Sequence, residues 1–125
     1  MNILILGNGG REHTFCWKLS QSVLKPKLFI APGNAGTAQL GTNIEINPTD
    51  LEAVAKAVSS HAIDLILVGP EAPLVAGIHD YIGNHPNLSH IPVIGPKEEA
   101  AQLEGSKAYA KAFMERHKIP TAPYK

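Results

Sequence analysis

Short apolar runs alternate along the chain with segments whose apolar residues recur at helical spacing. The apolar runs predict five strands, at residues 3–6, 27–31, 43–46, 63–68 and 91–94. The segments between them predict helices over residues 11–22, from about residue 49, and over about 73–83. Strands that alternate with helices are typical of βαβ units. We therefore expect an α/β fold: an open, mostly parallel, doubly wound sheet of Rossmann-like type with helices on both faces.

The pattern inside the first helix predicts which of its side chains pack against the sheet. Phe15, Leu19 and Val23 recur every four residues and would share one helical face. Cys16 and Trp17 lie inside the same helix and are interpreted as packing residues.

The second helix is expected to open with a capping box. Thr49 and Glu52 have the Thr-x-x-Glu spacing in which each side chain satisfies a backbone N–H at the helix start. Leu51, Val54 and Val58 would then form the inner face of this helix.

The end of the chain is predicted to be helical and then extended. Residues 97–103 and 106–118 have helical patterns, and the prolines that follow favour an extended segment with nothing to pair against. We therefore expect a domain over residues 1–102, followed over residues 103–125 by a helix and linker that lead into a further domain.

Composition narrows the class of protein. The chain has 125 residues, 44% of them hydrophobic, with eleven basic and eleven acidic residues. This is typical of one globular domain that lacks the basic surface needed for nucleic acid or an anionic membrane. No apolar run approaches the ~20 residues that span a bilayer, and no basic region precedes the first apolar run. We expect a cytoplasmic protein without nucleic-acid or membrane partners.

Metal and disulfide chemistry are not expected. The single cysteine excludes an intramolecular disulfide and a cysteine-based zinc site. The six histidines are scattered, and no Asp, Glu or Cys lies at ligand spacing around His85 and His90.

A glycine-rich loop at residues 7–13 joins the first strand to the first helix. Backbone N–H groups and the positive end of a helix dipole favour a bound phosphate or carboxylate at such a loop. Gly7 and Gly9 fit the dinucleotide pattern Gly-x-Gly-x-x-Gly, but its third position holds Glu12, which would repel a pyrophosphate. The acidic residue that binds the ribose of a dinucleotide is also missing. A monophosphate fits this loop better, and a purely structural glycine turn is the alternative.

Two further loops follow predicted strands, at residues 32–37 and 68–73. The carboxyl ends of parallel strands form the ligand-binding edge of such a sheet, so Gly9, Asn34 and Glu71 are expected to converge there. A carboxylate held between prolines, as Glu71 is, can accept two hydrogen bonds from a sugar diol. The alternative is an exposed glutamate in the first turn of a helix.

Four segments, at residues 7–13, 32–37, 68–75 and 102–107, together resemble the phosphoribosylamine–glycine ligase family in order and spacing. The resemblance implies a domain of the kind that precedes an ATP-grasp fold. It implies a reaction in which ATP activates glycine as an acyl phosphate, which the amine of 5-phosphoribosylamine then attacks. ATP, Mg or Mn, and glycine would be bound mostly by an ATP-grasp lobe outside this chain, so no catalytic residue or metal ligand is expected here, and no ligase activity from this chain alone.

The resemblance also implies roles for individual residues. The residues expected to bind 5-phosphoribosylamine are Gly9, Gly10, Arg11, Glu12, Asn34, Gly36, Thr37 and Glu71. Lys107 resembles the first basic residue of the ATP-grasp region and is expected to approach the phosphates of ATP.

Two other classes of function stay open on the residues alone. The first is a nicotinamide-dependent oxidoreductase domain, which binding of NADH would reveal. The second is a non-catalytic Rossmann-like binding module, in which charge reversal at Glu71 would be harmless.

Overall fold

Five parallel strands form a single sheet in the computed structural model, which describes residues 1–123. Tyr124 and Lys125, the end of the predicted linker, lie outside the described residues. The strands are β1 (Asn2–Gly7), β2 (Lys27–Pro32), β3 (Thr42–Asn43), β4 (Leu65–Val68) and β5 (Val93–Ile94), in the order β3-β2-β1-β4-β5. The predicted parallel α/β fold is confirmed.

Helices cover both faces of the sheet, as predicted. They are α1 (Gly10–Ser20), α2 (Leu51–Ser60), α3 (Glu71–Val75), α4 (Ile78–Asn84), α5 (Glu98–Gly105) and α6 (Lys107–Arg116), with a 3-10 turn at Thr37–Gln39. Side chains of β1 alternate between the two faces because a strand has a period of two residues. Leu4 and Leu6 join the core formed with α2 and α4, whereas Ile3 and Ile5 join Cys16 of α1.

The first helix is shorter than predicted. The prediction that Trp17 and Val23 pack against the protein is wrong, because both are exposed. It ends at Ser20, so the four-residue spacing no longer applies at Val23, which is 94% exposed. Trp17 is 54% exposed, because the residue after the buried Cys16 is turned by about 100° around the helix axis. Cys16 is fully buried, as predicted.

The second helix is capped one residue later than predicted. The Asp50 carboxylate accepts a hydrogen bond from the backbone N–H of Ala53 at 3.0 Å. Thr49 instead donates its hydroxyl proton to Asn47 Oδ1, at 2.9 Å. Both residue types are favourable N-caps. Because the Thr49 hydroxyl is bonded to Asn47, the Asp50 carboxylate caps the helix.

The single helix expected over residues 73–83 is two helices, α3 and α4. Gly77 lies between them with a φ of +87°, a left-handed conformation that ends α3 and that other residues rarely adopt.

The C-terminal helices differ in how they are supported. Ala101 of α5 is buried, and Gly105 lies so close to Val75 of α3 that a side chain there would overlap it. In α6, which lies wholly within the described residues, no side chain is buried. The segment after α6 is held by Lys111, whose ammonium donates to Thr121 Oγ1 and the Ala122 carbonyl at 2.6 Å each. No helix within residues 1–123 has the length and apolarity needed to cross a membrane.

Candidate functional site

Three loops leave the carboxyl edge of the sheet at the same level. The register pairs Gly7 at the end of β1 with Pro32 at the end of β2, and Leu6 with Val68 at the end of β4. The chain segments that follow these residues are therefore neighbours, as the sequence predicts. A cleft of about 360 Å³ opens between the first and third loops. It is lined by Asn8, Gly9, Gly10, Arg11, Glu12, Pro70 and Glu71.

The first loop turns sharply at Gly7 and then enters α1. Gly7 has a φ of +125°, whereas Gly9 has a φ of −93°, so the left-handed conformation belongs to the first glycine of the loop. Gly10 is the first residue of α1 and has open space where a side chain would be. The amides of the first helical turn have no partner within the helix. They give the cleft its capacity for an anion.

Glu12 lines the cleft but turns its carboxylate toward the loop backbone. The side chain is only 4% exposed, and Oε2 accepts a hydrogen bond from the Gly9 N–H at 2.6 Å. That N–H is therefore satisfied within the loop. The predicted contact between Glu12 and a substrate stays a prediction.

Arg11 joins the first loop to the third. Its Nη1 donates a hydrogen bond to the carbonyl of Gly69, two residues before Glu71. Although the side chain is exposed overall, this bond holds the guanidinium across the cleft. Arg11 and the first residues of α1 line the same cleft.

The second loop adjoins the first but does not line the cleft. Asn34 donates through Nδ2 to the Asn8 carbonyl at 2.8 Å, and its Oδ1 accepts from the amides of Gly36 and Thr37 at 2.8 and 3.0 Å. Thr37 is fully buried, and its hydroxyl oxygen accepts from the Asn34 amide at 2.7 Å. These side chains fix the loop, so their predicted contacts with substrate stay predictions.

Glu71 begins α3 and is exposed at the rim of the cleft. Pro70 precedes it with an extended backbone, which fixes where the carboxylate emerges. Glu71 also borders a groove of about 430 Å³ between α3 and the end of α5, with Glu104 on the opposite side. The carboxylate thus lies in the first turn of a helix and at the candidate site.

Three residues at this edge had no role predicted for them. Asn8 and Pro70 line the cleft, and the His13 ring lies against Gly36, where a Cβ would come within 2.8 Å of Cε1. All three belong to the quoted loop segments, so their position in the motifs was the only signal. Lys107, the first residue of α6, is exposed and does not line this cleft, and its contact with ATP stays a prediction.

Other features of the structure do not bring predicted site residues together. A larger cleft of about 520 Å³ lies among the start of α2, α4 and α5, where Asp80 caps α5 by accepting from the Glu98 N–H at 2.8 Å.

Burial, with a smaller contribution from the charge of Glu12, raises the pKa of the Cys16 thiol to about 11. Among residues 1–123, no three His, Cys, Asp or Glu side chains are placed to hold a metal ion.

One protein family and several individual relatives match this chain in sequence. The family described as phosphoribosylglycinamide synthetase, N domain, matches residues 1–104. Phosphoribosylamine–glycine ligase of Haemophilus influenzae is 52% identical over 126 aligned positions, which cover 99% of this chain and 28% of that protein. The Escherichia coli K12 ligase is 49% identical with the same coverage. The chain therefore spans about 28% of the length of the curated relatives it matches.

Solved structures extend the comparison. The phosphoribosylamine–glycine ligase of Thermotoga maritima has a TM-score of 0.68 and 33% identity, covering all of this chain and 27% of that one. The biotin carboxylase domain of a Hydrogenobacter thermophilus 2-oxoglutarate carboxylase, solved with MgADP, has a TM-score of 0.66 and 19% identity, covering 98% of this chain and 28% of that one. The second similarity concerns the fold alone.

Proposed function

The chain belongs to the phosphoribosylglycinamide synthetase family through its N domain, and we propose that it supplies the sugar-phosphate site of an ATP-dependent ligase. The ligase joins the carboxyl group of glycine to the amine of 5-phosphoribosylamine and gives glycinamide ribonucleotide, a step of purine biosynthesis. The names of the relatives support this reaction. The alternative of a nicotinamide-dependent oxidoreductase is not favoured.

The observation that carries the proposal is the convergence of the first and third loops on one cleft. The amides at the start of α1 and the Arg11 guanidinium offer donors to a phosphate. Glu71 offers acceptors to the ribose hydroxyls from the opposite rim. A cleft of about 360 Å³ suits a small ligand. With the Gly9 N–H occupied by Glu12, the loop retains donors for one phosphoryl group and few for a pyrophosphate.

The chemical step is assigned to parts of the ligase outside this chain. There ATP, with Mg or Mn, would transfer its γ-phosphoryl group to the glycine carboxylate and leave as ADP, and the amine of 5-phosphoribosylamine would then displace phosphate from the acyl phosphate. The described residues offer no group of ligands for such a metal, and one neighbour by fold was solved with MgADP. What this chain does is bind and orient the sugar phosphate, with Lys107 at the start of α6 directed to the phosphates of ATP. We expect no ligase turnover from the 125-residue chain alone.

The same proposal divides the chain into a binding domain over residues 1–102 and a connection over 103–125 to an ATP-grasp lobe. The family match to residue 104 supports this division, as does the absence of a buried side chain in α6. Small soluble substrates and a formal net charge of zero are consistent with a cytoplasmic enzyme that binds neither nucleic acid nor membrane.

The experiment that tests the proposal is a two-dimensional NMR titration of the ¹⁵N-labelled chain with ribose 5-phosphate, a stable analogue of the labile amine. Ribose without phosphate and NADH are the controls. We expect saturable shifts at residues 9–13, 34–37 and 71 with ribose 5-phosphate, weaker shifts with ribose, and none with NADH. Saturable binding of NADH at the first loop would contradict the proposal, as would shifts by ribose 5-phosphate elsewhere in the protein.

A further inference from the structure

Glu12 is a charged side chain buried at the edge of a site that must accept an anion. Burial of a carboxylate costs free energy unless hydrogen bonds compensate for the lost water. The Gly9 N–H donates to Oε2 at 2.6 Å, a short bond of the charge-assisted kind. This bond is one half of a capping box at the start of α1, whereas the contact of the same carboxylate with Gly69 of the third loop lies outside that motif and calls for a further role.

The surroundings of the Glu12 carboxylate are made of glycine backbone from two loops. A Cβ at Gly7 would lie 2.6 Å from Cδ of Glu12, and one at Gly9 would lie 3.1 Å from Oε2. A Cβ at Gly69, in the third loop, would overlap the carboxylate itself. The absence of side chains at these positions therefore creates the space that Glu12 fills, and its carboxylate separates the first loop from the third by a fixed distance.

The neighbouring residue strengthens the same connection. Arg11 donates from Nη1 to the Gly69 carbonyl, while Glu12 packs against the Cα side of Gly69. Two consecutive residues of α1 thus hold one peptide of the third loop, and Glu71 follows it after a single proline. A change in the position of Glu12 is expected to move the Glu71 carboxylate relative to the amides of α1.

We propose that Glu12 is a positioning residue of the sugar-phosphate site, acting through the backbone of Gly9 and Gly69 and making no contact with the ligand. Its carboxylate sets the distance between the amides that bind the phosphate and Glu71, which binds the diol. This inference rests on the proposed function for the identity of the ligand. It differs from the family-based expectation, which places Glu12 against the substrate.

Two substitutions at Glu12 distinguish the effect of the position of its carboxylate from the effect of its charge. Glu12→Gln keeps the length of the side chain and an oxygen that accepts from Gly9 N–H, but removes the charge. Glu12→Asp keeps the charge but is one methylene shorter, so its carboxylate cannot reach Gly9 and Gly69 together. Glu52→Asp, at an exposed glutamate in the first turn of α2, is the matched control for the shortening.

The first measurement needs no ligand. The Gly9 amide-proton shift and its temperature coefficient report the hydrogen bond to residue 12, and the amide shifts of residues 69–71 report the third loop. We expect Glu52→Asp to retain the wild-type values. Glu12→Gln should keep the temperature coefficient of a bonded Gly9 amide and the wild-type resonances of residues 69–71, with a smaller downfield shift at Gly9 because the acceptor is neutral. Glu12→Asp is expected to lose the Gly9 signature and to shift the resonances of residues 69–71.

The second measurement is the affinity for ribose 5-phosphate. We expect Glu12→Asp to weaken binding about tenfold or more, because small misplacements of binding groups have effects of that size, and Glu12→Gln to stay within about threefold of wild type. Weakened binding in Glu12→Gln, with the Gly9 amide still hydrogen-bonded and the resonances of residues 69–71 unchanged, would overturn the proposal in favour of direct contact by charge. Wild-type resonances in Glu12→Asp would overturn it as well. If wild-type protein does not bind ribose 5-phosphate, the proposed function fails, and the ligand-free resonances still decide the positioning role.

Discussion

The loop edge (residues 7–13, 33–37 and 69–71) and the C-terminal helix pair (residues 98–116) are ordered by different means. The loop edge contains only the ends of helices and strands and the loops between them, yet its conformation is fixed by two buried polar side chains, Glu12 and Thr37. The helix pair is helical except at Ser106, yet Ala101 is its only buried side chain.

The comparison shows that regular secondary structure and tertiary support are separate properties. An isolated helix of about ten residues is marginal in water, and α6 depends on local contacts. Ser106 caps it by accepting from the Tyr109 N–H at 3.2 Å, and the Phe113 and His117 rings lie 4.3 Å apart. The loop edge, by contrast, is attached to the centre of the sheet and should open only when the core does.

The two regions should differ most in how much the free energy of unfolding falls when an apolar side chain is removed. Leu6 is fully buried directly before the first loop, and Leu6→Ala should lower the free energy of unfolding by about 2–5 kcal/mol. Phe113 of α6 is only half-buried, and Phe113→Ala should cost less than about 1 kcal/mol. Urea denaturation of both variants measures these values. Similar losses would show that α6 is as well supported as β1.

The second comparison concerns glycine positions. Gly69→Ala places a methyl group on the Glu12 carboxylate and should cost about 1–3 kcal/mol through overpacking. Gly83→Ala, in α4 where a Cβ meets nothing within 4 Å, should stabilise the protein by about 0.5–1 kcal/mol. Thermal denaturation of the pair gives opposite signs if Glu12 fills the space beside Gly69. Equal signs would contradict that arrangement.

The third prediction concerns pH at the base of the loop edge. The folded pKa of Cys16, about 11, lies above the ordinary value of 9.0, so the folded protein holds the thiol proton more tightly. The resulting stability is fully present below pH 9 and is lost as the pH rises toward 11. At pH 10 wild-type protein should have lost about 1 kcal/mol relative to its value at pH 8.

Cys16→Ala is the control for this titration, because it lacks the thiol. Its free energy of unfolding should be lower than that of wild type at pH 8 and should fall less between pH 8 and pH 10. Parallel curves for the two proteins would show that Cys16 does not titrate in this range.

The smallest effect on stability is expected at Glu71, where the effect on binding is large. Glu71 is exposed, so Glu71→Gln should change the free energy of unfolding by less than about 0.5 kcal/mol. Loss of charge-assisted bonds to the diol should weaken ribose 5-phosphate binding about tenfold, or about 1.4 kcal/mol. Glu104→Gln, across the neighbouring groove, is the control. Unchanged binding in Glu71→Gln would place the diol elsewhere.

Much of the fold could be predicted because the relevant signals are local. The apolar run before Gly7 predicts a buried strand, and the glycine-rich loop predicts its junction with a helix, whatever lies elsewhere in the chain. Some of the errors fall where two local signals compete. Thr49 and Asp50 are both good caps, and the apolar pattern over residues 73–83 continues through Gly77, which the structure places in the left-handed region.

The sequence by itself determined the order of strands and helices, the parallel sheet and the three loops at its carboxyl edge, because hydrophobic periodicity and turn residues act over short distances. Only the tertiary structure decided where the polar side chains of those loops point. Gly7 and Gly69 are 62 positions apart in the chain, yet both lie against Glu12. Parallel pairing of β1 with β4 brings them together. That pairing is non-local, so no pattern within one loop could show that Glu12 lies against Gly69 while Glu71 remains exposed.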